Sequence, residues 1–523
     1  ERNKPQFVGS GILGSNNTRG DEAVLSALYG RASVSVGQFH YHTNGFRENN
    51  DQKHNVYNAF IQYAFTPRFN VQAEVRTRKT ENGDLLLDFD RAIFDPTLRH
   101  KFKQDTARVG ARFSLSPRQD LIASVMYLDG RAQEQTSSIL SFDSPDFSQT
   151  YFTRNSDVIL KGQGYQAEVQ YLFRDNRFNI TAGGGTYRII FNKGSQTNDV
   201  FQRLPGGSPC DFDSCTSSDT LGHLISERTN GYVYTNVKLP KNLNLTLGLS
   251  YDSYKDTPDS SSVPQSVYES QKLAFDKANP KFGMQWDITS GLRLRLAWFE
   301  TVKSALIANQ TIEPTQIAGF NQLFDDLNGT RTQRMGIGLD THAAKNIYGG
   351  FEVSARDLEV PLVSDDLSLA YTQKQKEKLY RAYFYWLPHP HWAIRGEPQL
   401  EKFTRGALSA GPAPSLIETF STPVSVNYFN PNGIFSKFTA TYVRQKLERG
   451  TISDNTGDSD FLMLDTSIGY RLPKRRGLLS LEGRNLLDQD FSFRNINFQN
   501  AQPFYNQRFS PGRMFFLRLT LNF

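Results

Sequence analysis

The chain has 523 residues, yet only 38% are hydrophobic and the net charge is a modest +6, with a mean hydropathy of −0.52. No apolar run approaches the ~18 residues that a membrane helix requires, the basic residues form no cluster of the kind nucleic acid needs, and no long 3.6-period stretch marks the helical body of a soluble enzyme. Phe and Tyr are abundant instead, at 39 and 23 residues, which suits strands with one greasy and one wet face.

Taken in chain order, the first candidate strand covers 6–14, followed by the polar NNTRGDE and a second strand at 24–29. Gly30-Arg31 turns that strand into 33–43. After GFRENNDQ comes 55–65, the turn Thr66-Pro67-Arg68, and the strand 69–79. In it Phe69, Val71, Ala73 and Val75 share one face, and Asn70, Gln72, Glu74 and Arg76 the other, the period of two that defines a half-buried strand. The same hairpin then recurs. Strands at 106–115 and 121–128 flank SPRQ, 165–173 and 178–188 flank RDNR, and 231–239 and 243–251 flank PKN. Further pairs are 280–288 with 292–299, 334–341 with 347–355, 379–387 with 392–399, 422–429 with 434–443, and 462–470 with 478–485.

The last candidate strand lies in 508–523, where Phe515, Leu517, Leu519 and Leu521 alternate with Phe516, Arg518, Thr520 and Asn522 before the terminal Phe523. Ten tight turns with a strand at each end predict about 22 antiparallel strands, each near the nine to eleven residues that cross a bilayer at a tilt. The remaining connections, such as 82–104, 129–157, 193–220, 256–273, 303–331 and 489–508, are long. The fold expected is an all-β transmembrane antiparallel barrel in one domain, 1–523. Its short turns and both termini are expected in the periplasm and its long loops outside. Aromatic residues at strand ends, among them Phe65, Phe69, Phe173, Phe178, Trp386, Trp392 and Tyr428, fit interfacial girdles. A soluble propeller or tandem sandwich set is the competing all-β architecture, but these lack an outward aliphatic band and the chain carries no blade-length repeat. If the barrel closes, the final strand pairs with the first as well as with 478–485, leaving no edge.

The C-terminal third resembles the barrel of the TonB-dependent receptor superfamily. The match lies in DFLMLDTSIGYRL (460–472), in LEGRNLLDQDF (481–491), which looks like that family's penultimate-strand motif, and in the terminal strand. GQFHYHTNGFRENND (37–51), NPKFGMQWDITSGLRLRLAWF (279–299) and IANQTIEPTQIAGFNQLFDDLNGT (307–330) resemble more closely the C-terminal barrel of outer-membrane proteins whose N-terminal half is tetratricopeptide repeats. The wider resemblance implies a 22-strand barrel. It would also imply a plug domain and a TonB box, and neither is recognisable before the first strand. The narrower one implies export through a barrel fed by periplasmic helical repeats.

Chemistry is sparse. The chain holds no G-x-S-x-G, H-E-x-x-H or P-loop, so an enzyme is not expected, and nothing requires a cofactor. His40 and His42 share a strand face but lack a third metal ligand, and His389 and His391 sit in a turn beside tryptophans. Cys210 and Cys215, in PCDFDSCTSSD, are expected to close a loop as a disulfide in an oxidising compartment. The chain opens at Glu1 without a signal peptide, as expected of a processed form or of a fragment. Parity assigns a set of side chains to the lumen: Glu74, Arg76, Arg108, Arg112, Gln166, Glu168, Gln170, Asn244, Lys281, Gln285, Arg293, Arg295, Arg334, Asp340, Glu352, Arg356, Glu482, Arg484 and Arg518. These are foremost the wet side of a barrel, paired for stability; the functional alternative is a conduit that hydrogen-bonds a polar or weakly anionic substrate in passing.

One segment stands apart. Residues 305–331 are poor in charge before Asp325 and hold Ile307, Ile312, Ile317, Phe320, Leu323 and Phe324. Such a loop is expected to fold into the lumen as a constriction, with Ile312, Ile317, Phe320, Phe324, Asp325 and Asp326 as its constricting residues. Asp325 and Asp326 lack the ligand spacing of a calcium loop and are expected to be solvated. The function expected is an outer-membrane transport pore, foremost a plugless export conduit gated by a periplasmic or lumenal protein. The alternative is the barrel of a TonB-dependent uptake receptor. Expected partners are outer-membrane lipid and a polar polymer or small polar solute, with no nucleic acid.

Overall fold

The computed structural model describes residues 4–143, 149–202, 217–258, 273–303, 306–363, 370–406, 414–448, 456–495 and 508–523. Cys210 and Cys215, and with them the expected disulfide, lie outside the described residues. Among those described, one antiparallel sheet holds 23 strand segments. Two of these, Trp392–Gly396 and Gln399–Arg405, pair with the same neighbour on either side. They are one strand interrupted at Glu397-Pro398, where Pro398 has no N–H to give the ladder. The barrel therefore has 22 strands among the described residues.

Closure follows from the terminal segments. The strand Met514–Asn522 pairs on one side with Gly477–Arg484, Leu479 facing Leu519. On its other side it pairs with Pro5–Gly14, from Val8 opposite Asn522 to Gly14 opposite Phe516. Phe7 and Phe523 then exchange backbone hydrogen bonds of 3.0 and 2.8 Å. Among the described residues the ring has no unpaired edge, which is the condition for placing a sheet in hydrocarbon, where an unmade backbone hydrogen bond costs several kcal/mol.

The alternation in the sequence becomes two surfaces. Ile61, Val75, Val109, Val125, Val169 and Leu247 are each about half exposed, and Val109 lies directly opposite Val125. A water-facing sheet with such a band would be an aggregation liability; in an outer-membrane barrel, lipid covers it. The chain is an integral outer-membrane protein. At the short-turn end Phe65 stacks on Phe69 with centroids 5.6 Å apart, Phe173 meets Phe178 at 5.5 Å, and Trp392 meets Tyr428 at 4.8 Å. β-Bulges recur beside these turns, between Ala64 and Thr66, Ser114 and Ser116, Asp287 and Thr289, and His342 and Ala344. They add the local twist that a closing sheet needs at its rim.

Several expected boundaries are corrected. The second strand begins at Thr18, so the polar NNTRGDE is mostly strand, and the connection shrinks to a turn with Asn16 and Asn17 at φ 57° and 53°. Stretches expected as loops are strand on one side of the barrel. Gln119–Asp143, Gln149–Arg174, Phe178–Gln202 and Ser217–Leu239 run 25, 26, 25 and 23 residues, far beyond the bilayer's requirement. Once register is set in the membrane, a hairpin continues its ladder into water whatever its polarity, and that polarity erases the alternation from the sequence. The closing strand starts at Met514, and Phe509 is buried among loop aromatics instead.

The seam can be tested by paired cysteines. Ser10 faces Thr520 across it, so Ser10→Cys with Thr520→Cys should form an oxidisable crosslink that holds the barrel together in boiling detergent. Ser10→Cys with Leu519→Cys, whose side chains point to opposite faces, should not crosslink.

Candidate functional site in the barrel lumen

Between Leu292–Val302 and Arg331–Ala344 the described residues are 303 and 306–330. They form a short 3-10 turn, Ile307–Asn309, and a two-residue ribbon of Gln316–Ile317 against Phe320–Asn321. The ribbon reverses at Ala318-Gly319, with Gly319 at φ +88°, a conformation natural to glycine. Ile307 is buried with Met126, Leu128 and Ile189. Ile317, Ala318 and Phe320 are buried with Tyr232, Tyr234, Ala297 and Phe299. Each large apolar side chain so covered stabilises the docked loop by roughly 1.5–3 kcal/mol. The wall leaves room for them: a Cβ at Gly336 would collide with the Phe320 ring.

Polar contacts follow the wall around. Arg108 donates to Gln310 at 2.8 Å and is ion-paired with Glu74. Gln166 donates to the Gln310 carbonyl at 2.7 Å and accepts from the Ile307 N–H at 3.0 Å. Glu168 accepts from the Thr311 hydroxyl, the Ile312 N–H and Tyr187, and Gln170 donates to the Ile312 carbonyl. Further round, Lys281 donates to Gln322 at 2.8 Å and Arg334 to the Asn321 carbonyl at 2.8 Å. The Arg295 guanidinium lies 5.1 Å from the Phe320 ring centre. A segment touching the polar side chains of so many successive strands of a closed ring lies on its inner side.

The centre of the docking is one loop carboxylate. Glu313 is 8% exposed, accepts from Tyr234 at 2.6 Å and Asn230 at 3.2 Å, and lies 4.0 Å from Arg228. Arg228 is itself buried and donates to Asp252 at 2.8 Å. At the far end Phe324 sits 3.6 Å under the Arg356 guanidinium, which pairs with Asp326 and with Glu377. Asp326 is thus 9% exposed, not the solvated residue expected, because a buried arginine needs a counter-charge. Asp325 accepts from Asn309 at 3.1 Å. At the loop's root, burial holds the Lys303 ammonium below its ordinary range, with Asp325 and Asp326 opposing the shift.

A second assembly of loop residues packs on other strands. Residues 83–98 and 485–495, together with Phe509, pack Leu87, Phe491, Phe493 and the Phe509 ring with Val443, Phe461 and Met463. Arg494 pairs with Asp88 at 2.5 Å and exchanges backbone hydrogen bonds with the Gln445 amide at 2.7 and 2.9 Å.

Among the residues assigned to the lumen, Arg108, Gln166, Glu168, Gln170, Lys281, Arg295, Arg334 and Arg356 come together under the loop. Asp340 and Glu352 hold Arg295, at 2.7 and 3.4 Å. Arg112 pairs with Asp120, Arg293 with Asp287, and Glu482 with both Arg484 and Arg518, away from the loop. His40 contacts Asp21 and Tyr57, and His389 meets His391. Sequence reasoning missed Arg228, Asn230, Tyr232, Tyr234, Asp252 and Glu313. The alternation Arg228, Asn230, Tyr232, Tyr234 is visible in the sequence, but the expected strand begins at 231 and leaves Arg228 and Asn230 outside it, whereas it runs Ser217–Leu239.

Removing the carboxylate that accepts from Tyr234 and Asn230 should be costly, since each buried donor left unsatisfied costs about 1–3 kcal/mol. Glu313→Ala is expected to raise amide hydrogen exchange across 306–326 by at least tenfold while exchange in the seam strands stays unchanged.

Residues 29–328 match the family model described as TonB dependent receptor-like, beta-barrel. In solved structures the chain is similar to the ferric-catecholate import receptor Fiu of E. coli in its closed form, with 13% identity, TM-score 0.68, and coverage of 100% of this chain and 82% of that one. It is likewise similar to BauA, the ferric preacinetobactin receptor of Acinetobacter baumannii, with 10% identity, TM-score 0.68, and coverage of 100% and 80%. The copper transporter OprC gives 12% identity, TM-score 0.70, and coverage of 99% and 80%. At such identities the likeness is one of fold. Comparison with curated protein sequences finds no match.

Proposed function

The chain belongs to the TonB-dependent receptor-like β-barrel family, whose work is outer-membrane transport, and from that premise we propose that it is a conduit narrowed by its own in-folded loop. The observation carrying this reading is the 306–330 segment, laid along the inner wall and anchored by Glu313, Phe320 and Asp326. Loops that bury their own charges and aromatics in the wall occupy cross-section that would otherwise be water. In this reading the short-turn end and both termini face the periplasm. Polar cargo leaves through the barrel, and a periplasmic partner, of which helical repeats are the foremost candidate, supplies it and displaces the loop. The cargo is a polar polymer or a small polar solute, met by the amides and paired charges of the inner face.

A second reading is favoured by the fold likeness, since the similar structures include an import receptor for ferric catecholates and a copper transporter. There the same barrel takes up a small ligand, and the loop belongs to its capture.

Deleting 312–326 and joining the ends through a short Gly-Ser linker should raise single-channel conductance in planar bilayers severalfold. Unchanged conductance would sink the constriction. Specific, saturable binding of a ferric catecholate or of copper by the intact chain would favour uptake.

A further inference from the structure

Between the strands Phe69–Asn82 and Arg99–Ser116 and the turn Ile307–Asn309 lies a cavity of about 280 Å³, with Glu74, Arg76, Arg78, Gln104, Arg108 and Gln310 in its lining. Its chemistry is written in the register. Glu74, Arg76 and Arg78 are two residues apart and share the inner face. Opposite them stand Arg108, Thr106 and Gln104 in turn. Three guanidiniums thus meet a single lining carboxylate, and Glu74 is already engaged by Arg108. The neighbouring strands add no acid. Asn58 and Val56 face Arg76 and Arg78 on one side, and Leu128 and Gly130 face Thr106 and Gln104 on the other.

The three cations differ in how they are held. Arg78 lies against the Phe102 ring at 4.8 Å. Arg108 is fixed by Glu74 and Gln310. Arg76 is exposed to the cavity and makes no ion pair among the described residues. Neighbouring guanidiniums repel one another, and an arrangement kept at one wall position is relieved by an anion that accepts from several of them. The planar fork of arginine matches carboxylate and phosphate oxygens two at a time, while Thr106 and Gln104 offer a hydroxyl and an amide beside them.

We propose that this pocket binds an oxyanion, the phosphate or carboxylate group of the cargo, with Arg76 and Arg78 as its principal ligands and Arg108 as the third. The proposal rests on the reading of the inner wall as the passage, and names the charge of what passes.

The full chain in detergent, titrated calorimetrically with inorganic phosphate and separately with citrate, tests it. Saturable binding of at least one is expected, and the stronger of the two tells phosphate from carboxylate cargo. Arg76→Gln with Arg78→Gln should weaken that binding at least tenfold. Glu74→Gln, which frees Arg108 and removes the opposing charge, should tighten it about threefold. Arg444→Gln with Lys446→Gln removes two exposed cations elsewhere and should leave affinity unchanged. Retention of the heat-modifiable gel mobility of a folded barrel checks each variant. Absence of saturable binding, equal affinity in the Arg76/Arg78 variant, or an equal loss in the Arg444/Lys446 variant would overturn the site. Conductance of the same samples separates the two ideas: phosphate binding without conductance removes the conduit and keeps the site, and conductance without binding does the reverse.

Discussion

Every feature of this barrel depends on one requirement, that no backbone N–H or C=O meet lipid unpaired. The requirement forces the chain to bring its ends together, and the pairing of Pro5–Gly14 with Met514–Asn522 is where it is met. Closure also fixes the meaning of alternation. Along every strand one residue in two goes to hydrocarbon and the other to an enclosed, wet interior, so a chain of low mean hydropathy becomes a membrane protein without any apolar run. The aromatic pairs near the short turns and the bulges beside them are local consequences of bending that sheet into a ring.

A ring of 22 strands leaves an interior too wide for wall side chains to fill, and the chain answers with its own loops. The 306–330 segment behaves as a small second core. It brings Ile307, Ile317 and Phe320 to Met126, Tyr232 and Phe299, and glycines such as Gly336 leave the space. Its polar edge is fastened by buried hydrogen bonds and charge contacts to the wall. Glu313 between Tyr234, Asn230 and Arg228 is the plainest case. Such a carboxylate contributes less to net stability than to uniqueness of placement, since desolvation offsets much of the attraction.

What was legible in the sequence divides along the same physical line. Within the bilayer, solvent polarity differs between the two strand faces, so Leu243 to Tyr251 or Phe69 to Val75 announce themselves by period two. Above the bilayer both faces are wet, the period vanishes, and strands such as Gln149–Arg174 are indistinguishable from loop until their register is seen. The in-folded loop was legible because an exposed segment with Ile312, Ile317, Phe320 and Phe324 needs a surface to cover. Its anchor was not, because Glu313 is one charge in a neutral stretch, and its partners lie tens of residues away on strands whose upper ends carried no signal. Asp326 was misjudged for a related reason: only the fold brings Arg356 beneath it.

The unequal strand lengths carry a mechanical consequence. On one side of the ring stand strands of 23 to 26 residues; at the seam the three consecutive strands have 8, 9 and 10. Resistance to shear and splaying grows with the length of ladder joining two strands, so the cylinder is stiff on its tall side and compliant along its shortest staves. Thermal breathing therefore concentrates where the two ends of the chain meet. Any force applied there from the short-turn end acts on the softest line of the wall.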